Sequence, residues 1–313
     1  MSGTTPISSL KDPPTSSRVM TREPLAWAIL LSALWLQLFA ACSYAWRFGE
    51  YYDYGWYVPP LVGLFVWRLR HRLCQRPRGP RASLGWVVPG LIVLMAALTL
   101  LRILEWVDPL WTLPLWSQAL LVSGISLGAL HRFGGSAVLL RFVPILVFAL
   151  TALPLPKRLE TQTVASLTRS VIASSQQLLE WTGHQVQTLG DRLVVNHELI
   201  HVTDGCSGIR SAQSFLMAAL FFGEWMQLRW TGRLLMIAFG IATAWTFNVA
   251  RATSLAWIRV HQGESAFDQA HDSAGLLAFA GGSLVLLVCA KWLDRPFGTP
   301  STIRRQLAEG GVI

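Results

Sequence analysis

The sequence predicts an all-α membrane protein of about eight transmembrane helices, with an extracytoplasmic amphipathic helix and a short β-hairpin. Three observations predict it. Charged residues make up only 14% of the 313-residue chain and hydrophobic residues 52%, whereas soluble domains carry about 25% charged residues. Apolar stretches near the roughly 20 residues needed to span a bilayer recur along most of the chain. One long polar interval, 156–208, interrupts them.

Residues 1–22 form a polar tail, read as cytoplasmic. The first apolar segment, 25–46, is long enough to span, so it reads as an anchor rather than a cleavable signal. Further segments follow near 55–69, 85–104, 110–130, 137–155, 209–228, 233–251 and 272–292. Residues 252–271 read as a shorter polar loop and 294–313 as a second cytoplasmic tail. The intervening 23–293 then form one eight-span domain that includes the 156–208 loop. With the N-terminus inside, 17 of the 26 Lys and Arg fall on the cytoplasmic side, as the positive-inside rule asks. The segment "RLRHRLCQRPRGPR" (68–81) dominates that count. Both tails are then inside, and the two polar loops face outward.

Within the long loop, Val164, Leu167, Val171, Leu178 and Leu179 recur mostly at helical spacing, which predicts an amphipathic helix on the outer surface, packed partly on the protein. Gly190-Asp191 breaks it. Two β-prone runs, Leu193–Val195 and Leu199–Val202, flank a polar Asn196-His197-Glu198 centre and read as a hairpin.

The net charge of +9 admits a nucleic-acid partner, but the arginines cluster between apolar segments rather than along one stripe, as in a membrane protein's cytoplasmic loops. No nucleic-acid partner is therefore expected; membrane lipid is. Cys42, Cys74, Cys206 and Cys289 show no paired spacing, which argues against a disulfide framework or a cysteine zinc site.

The stretch "NHELIHVTDGCSGIRS" (196–211) offers two chemistries. His197-Glu198-Leu199-Ile200-His201 has the letters of a zinc-protease motif. That motif needs a helix, which sets the two histidines one turn apart on one face. On a strand they would stand roughly 13 Å apart, with the glutamate on the opposite face. β-branched residues dominate here, so the strand is expected, and no metal site. Cys206 instead sits in a turn with a helix expected near Ile209. A helix N-terminus lowers a thiol's pKa, and its N–H groups can stabilise an oxyanion. Two further residues join it on the outer side. Arg251 lies at the end of an otherwise uncharged span, where an ionisable group is a functional candidate. His271 begins the last span, with Asp272 as its expected N-cap. A thiol, a fixed cation and a base together fit Cys–His acyl transfer. A non-enzymatic transporter or subunit for exopolysaccharide export is the alternative. It would line several spans with ionisable residues, and the mid-span regions are almost bare of them.

At these residues the sequence resembles the exosortase/archaeosortase family of multi-pass membrane transpeptidases. The matching strings are "CSGIRS" (206–211), "NVAR" (248–251) and "HDSAG" (271–275), in that order. "YYDYGWYVPPLVGLFVWRLR" (51–70) and "LPLPKRLE" (153–160) resemble the family's entry to the second span and its loop opening. Asp204-Gly205 and Tyr54 depart from the family's usual residues and leave the subfamily open. The resemblance implies Cys206 as nucleophile, Arg251 as the group on the oxyanion or substrate carbonyl, and His271 as general acid/base. Arg210 and Asn248 are candidate substrate-binding residues within the same strings. No cofactor is implied. The implied location is the bacterial inner membrane. The implied partners are secreted proteins ending in a sorting tail: a short motif, a transmembrane helix and a basic end.

Overall fold

A computed structural model describes residues 22–49, 51–73, 84–108, 111–190, 192–196, 198–201 and 209–297. Eight helices carry the chain: α1 (Arg22–Phe48), α2 (Val58–Leu73), α3 (Leu84–Val107), α4 (Thr112–Leu150), α5 (Lys157–Trp181), α6 (Ile209–Trp225), α7 (Trp230–Gln262) and α8 (Glu264–Phe297). Between α5 and α6 lie three short strands, β1 (Val186–Leu189), β2 (Arg192–Val195) and β3 (Glu198–His201). Every apolar segment expected from the sequence is helical, in seven helices rather than eight. The fourth and fifth segments are joined in α4, whose 39 residues are broken at Gly135 (φ 68°, ψ −171°). A straight helix of that length would run about 58 Å, nearly twice the hydrocarbon core; the break divides it into two shorter runs. Among the described residues, four helices are long and apolar enough to cross a membrane: Pro24–Phe48, Thr112–Leu150, Trp230–Gln262 and Glu264–Phe297.

The packing is that of a bundle whose outer surface is apolar. On α8, Leu276, Leu284, Val288 and Trp292 are more than half exposed and recur at multiples of four residues, one stripe along a helix. A lipid surround makes such a stripe inexpensive. Inward, α6, α7 and α8 bury Phe215, Met236, Leu286 and Leu293 against one another. A larger core joins α1, α2 and α4 through Leu38, Phe65, Ile145 and Phe148.

The polar interval folds largely as expected. α5 buries Val171, Ile172 and Leu179 and packs on α7, with Trp245 Nε1 donating to Ser170 Oγ at 2.9 Å. The expected hairpin is β2–β3, paired antiparallel with Val195 opposite Glu198 and Arg192 opposite His201. It is one half of a three-stranded meander, because β1 also pairs with β2. Gly190 at φ 67° and Asn196 at φ 50° sit in the two connections, the conformation that tight two-residue turns demand. Asn196 Oδ1 also accepts the Gln185 N–H at 3.1 Å.

One expectation is corrected. Residues 252–271 are not a loop. α7 continues to Gln262, Gly263 (φ 82°) turns the chain, and α8 begins at Glu264. Leu255, Ala256 and Val260 on this extension pack with Phe267 and Ala270 on the other, and the sheet seats Leu193 and Val195 on them. Hydropathy reports apolar content, not helicity, so a helical hairpin with polar surfaces reads as a polar gap.

Candidate active site

Arg251 lies on α7, one turn past Asn248, so the two side chains share a face. His271 is the eighth residue of α8, inside the helix, so Asp272 does not cap it. The α7–α8 hairpin brings the two helices back alongside, and Arg251 Nη2 stands 3.2 Å from His271 Nε2. A guanidinium has donors only. The contact is therefore a hydrogen bond when Nε2 is unprotonated, which leaves the imidazole neutral with its proton on Nδ1. Both side chains are half-buried. Gly275, one turn below His271, leaves room for the guanidinium: a Cβ there would sit 3.6 Å from Arg251 Cζ.

Asn248 is buried, and it lines a cavity of about 470 Å³ together with Leu167 and Val171 of α5, Ala212 of α6 and Trp245 of α7. Ala212 and Asn248 thus put the first turn of α6 beside the turn of α7 that leads to Arg251. Arg210 is exposed at the second residue of α6. Cys206 lies outside the described residues, between His201 at the end of β3 and Ile209 at the start of α6. The helix expected near Ile209 begins there.

The zinc-motif letters fall on a strand. Glu198–His201 is β3, and the Glu198 carboxylate pairs with Arg259 Nε at 3.5 Å. Arg259 also reaches Glu264 at 3.3 Å, so it ties the sheet to the α7–α8 hairpin. His197 lies outside the described residues. Glu224, the acid on the following helix, is buried in an ion pair with Arg233 at 2.8 Å.

Two stretches singled out in the sequence also meet. Trp46 Nε1 donates to Ala152 O at 2.7 Å and the Tyr54 hydroxyl to Thr151 O at 3.0 Å. The Tyr52 hydroxyl donates to Glu160 Oε2 at 2.6 Å and accepts the Leu155 N–H at 2.9 Å. Trp116 Nε1 closes the set on Pro154 O at 2.8 Å. Gly55 lies flat on the Trp46 indole, where any Cβ would overlap the ring. These contacts fix the start of α5, and α5 is one wall of the Asn248 cavity. No local pattern joins residues 38 to 108 positions apart; the unusual density of Tyr and Trp was the one signal available.

A family model described as transmembrane exosortase (Exosortase_EpsH) matches residues 46–288. No curated protein and no solved structure gives a match. The matched residues run through more than three quarters of the chain and include the α7–α8 pair of Arg251 and His271, so the chain belongs to the transmembrane exosortase family.

Proposed function

We propose that the protein is an exosortase-like cysteine protease or transpeptidase that cleaves the C-terminal sorting tail of secreted proteins through a thioester at Cys206. The observation that carries this reading is the 3.2 Å contact between Arg251 and His271. It holds a base and a fixed cation together at the end of the bundle where the chain returns from β3 to α6. A residue three positions before Ile209 can lie no more than about 11 Å from it, and the first turn of α6 borders the Asn248–Arg251 turn of α7. The reading requires the Cys206 thiol to come within reach of the pair.

In the proposed chemistry, a substrate carbonyl enters and the Arg251 guanidinium turns from His271 Nε2 to the developing oxyanion. Nε2 is freed and takes the Cys206 thiol proton. The thiolate bonds to the carbonyl carbon, the tetrahedral adduct collapses, and the C–N bond breaks as His271 returns the proton to the leaving amine. The thioester is then attacked by an acceptor amine or by water. His271 removes that nucleophile's proton and the thiolate departs. Arg210 and Asn248 are placed in substrate binding, and the α5 wall guides the tail. The membrane is the bacterial inner membrane, with this site outward and both termini in the cytoplasm.

The test is processing of a substrate carrying a motif–helix–basic tail. Cys206→Ala should abolish processing while the protein still inserts, and normal processing would sink the proposal. His197→Ala and His201→Ala should process normally, and chelators should have no effect. Loss of activity in either would return the zinc motif to consideration.

A further inference from the structure

The other end of α7 carries a second charged feature that the proposed chemistry does not use. At the α6–α7 turn a cleft of about 620 Å³ is walled by α4, the turn and the end of α8. Its polar lining includes Arg141, Arg229 and Arg233, and no acidic residue is among its lining residues. Behind it Glu224 is buried and held by Arg233 Nη2 at 2.8 Å. Arg68 and Arg141 also lie within electrostatic reach of Glu224. Arg68 is anchored on the Trp225 carbonyl at 2.8 Å and lies over the Trp225 ring. Glu224 therefore faces three arginines. Arg233 Nη1 is buried with no hydrogen-bond partner among the described residues.

Uncompensated guanidinium charge at a membrane boundary is costly. An anion with several oxygens relieves it, because arginine forks bind phosphate oxygens two at a time. The surroundings select the source. Leu140 and Trp230 line the cleft and are about half exposed, and Leu234 beside it is 64% exposed. The cleft thus opens onto the lipid-facing surface, with a tryptophan of the kind that sits at headgroup level. Basic pockets of this kind between spans hold anionic headgroups.

We propose that this cleft binds the phosphate headgroup of an anionic phospholipid, with Arg141, Arg229 and Arg233 as ligands and the acyl chains lying along Leu140 and Leu234. The test uses the full-length protein in neutral detergent, titrated with phosphatidylglycerol, phosphatidylcholine or inorganic phosphate. Binding is read by native mass spectrometry and by thermal shift. Phosphatidylglycerol should bind and raise the melting temperature, whereas phosphatidylcholine and phosphate at equal concentration should do neither. Arg141→Ala/Arg229→Ala leaves the Arg233–Glu224 pair intact and should weaken phosphatidylglycerol binding at least about tenfold, as losing charge-assisted contacts requires. Arg70→Ala, outside the cleft, should bind as the wild type does. Equal phosphatidylglycerol affinity in the double variant, or equal binding of phosphatidylcholine, overturns the proposal. Equal protection by inorganic phosphate overturns the lipid assignment.

Discussion

Gly275 gives the Arg251–His271 pair its sharpest residue-scale test. A methyl at this position would meet Arg251 Cζ at 3.6 Å, an ordinary contact, so Gly275→Ala should process substrate at close to the wild-type rate. Gly275→Leu would fill the space that the guanidinium occupies and displace it from His271. A lost oxyanion donor costs on the order of 100-fold in rate, so Gly275→Leu should lose about that much processing with insertion unchanged; wild-type turnover in this variant would mean that Arg251 does not act from its observed position. The tyrosine cluster yields a second residue-scale prediction. Burial first, and then the hydrogen bond to Glu160, hold the Tyr52 hydroxyl above the ordinary tyrosine range. Burial, with the charge of Asp53 added, does the same for Tyr54. The native state therefore binds these protons more tightly than the unfolded chain. The stability they contribute is complete below pH about 10, the unfolded value, and is lost as pH rises through and beyond it. Tyr52→Phe leaves the half-buried Leu155 N–H without its acceptor, costing about 1 kcal/mol at neutral pH. Melting followed from pH 8 to 11 should show a lower plateau for Tyr52→Phe/Tyr54→Phe and a shallower alkaline fall than wild type; an unchanged slope would count against these two groups.

Between elements, glycines set the spacing of the three helices whose ends surround the candidate site. Gly240 of α7 faces Ala219 and the Phe215 carbonyl of α6, where a Cβ would come within 2.8 Å and 3.1 Å. On α8, Gly281 accommodates Phe247 of α7 and Gly282 accommodates the Phe215 ring. Small residues at such crossings are how membrane helices approach closely. Phe215 has nowhere to move: it is buried and stacked on Phe279 with ring centroids 5.8 Å apart. Gly282→Ala should therefore cost about 1–3 kcal/mol through overpacking, seen as a lower melting temperature, and Gly282→Ala/Phe215→Leu should recover part of it. A neutral Gly282→Ala would show that α8 can slide past α6. The legibility of these elements divides by kind of signal. The apolar helices, the α5 stripe and the β2–β3 hairpin each carry a periodic pattern and were readable. β1 was not, because Gln187, Thr188 and Leu189 are exposed and no face alternates. The α7–α8 extension was hidden because its helices carry polar surfaces. For the candidate site, the end of the apolar 233–251 segment and the start of "HDSAG" singled out Arg251 and His271, but their 3.2 Å contact depends on that unpredicted hairpin. The tyrosine and tryptophan contacts of the α5 entry depend on tertiary proximity alone.

At the scale of the whole molecule, α7 links two chemically different ends. Arg233 and Arg251 are 18 residues apart on one helix, about 27 Å at 1.5 Å per residue, close to the roughly 30 Å of a hydrocarbon core. The arginine cleft therefore lies one membrane thickness from the Arg251–His271 pair, with exposed Leu234 and Ile241 between them on α7. The proposed orientation, in which positive charge is retained on the cytoplasmic side, puts the cleft end inside and the paired end outside. This assignment can be read directly by cysteine labelling. In a chain whose four native cysteines are replaced by serine, Glu264→Cys marks the α7–α8 turn, where Glu264 is 75% exposed, and Thr231→Cys marks the exposed α6–α7 turn. A membrane-impermeant maleimide added to spheroplasts should label Glu264→Cys at once and Thr231→Cys only after permeabilisation. The reverse pattern would put the candidate site in the cytoplasm, where no secreted tail could reach it. Labelling of both from outside would mean that α7 does not cross at all, and the lipid-facing stripe of α8 would then need another partner.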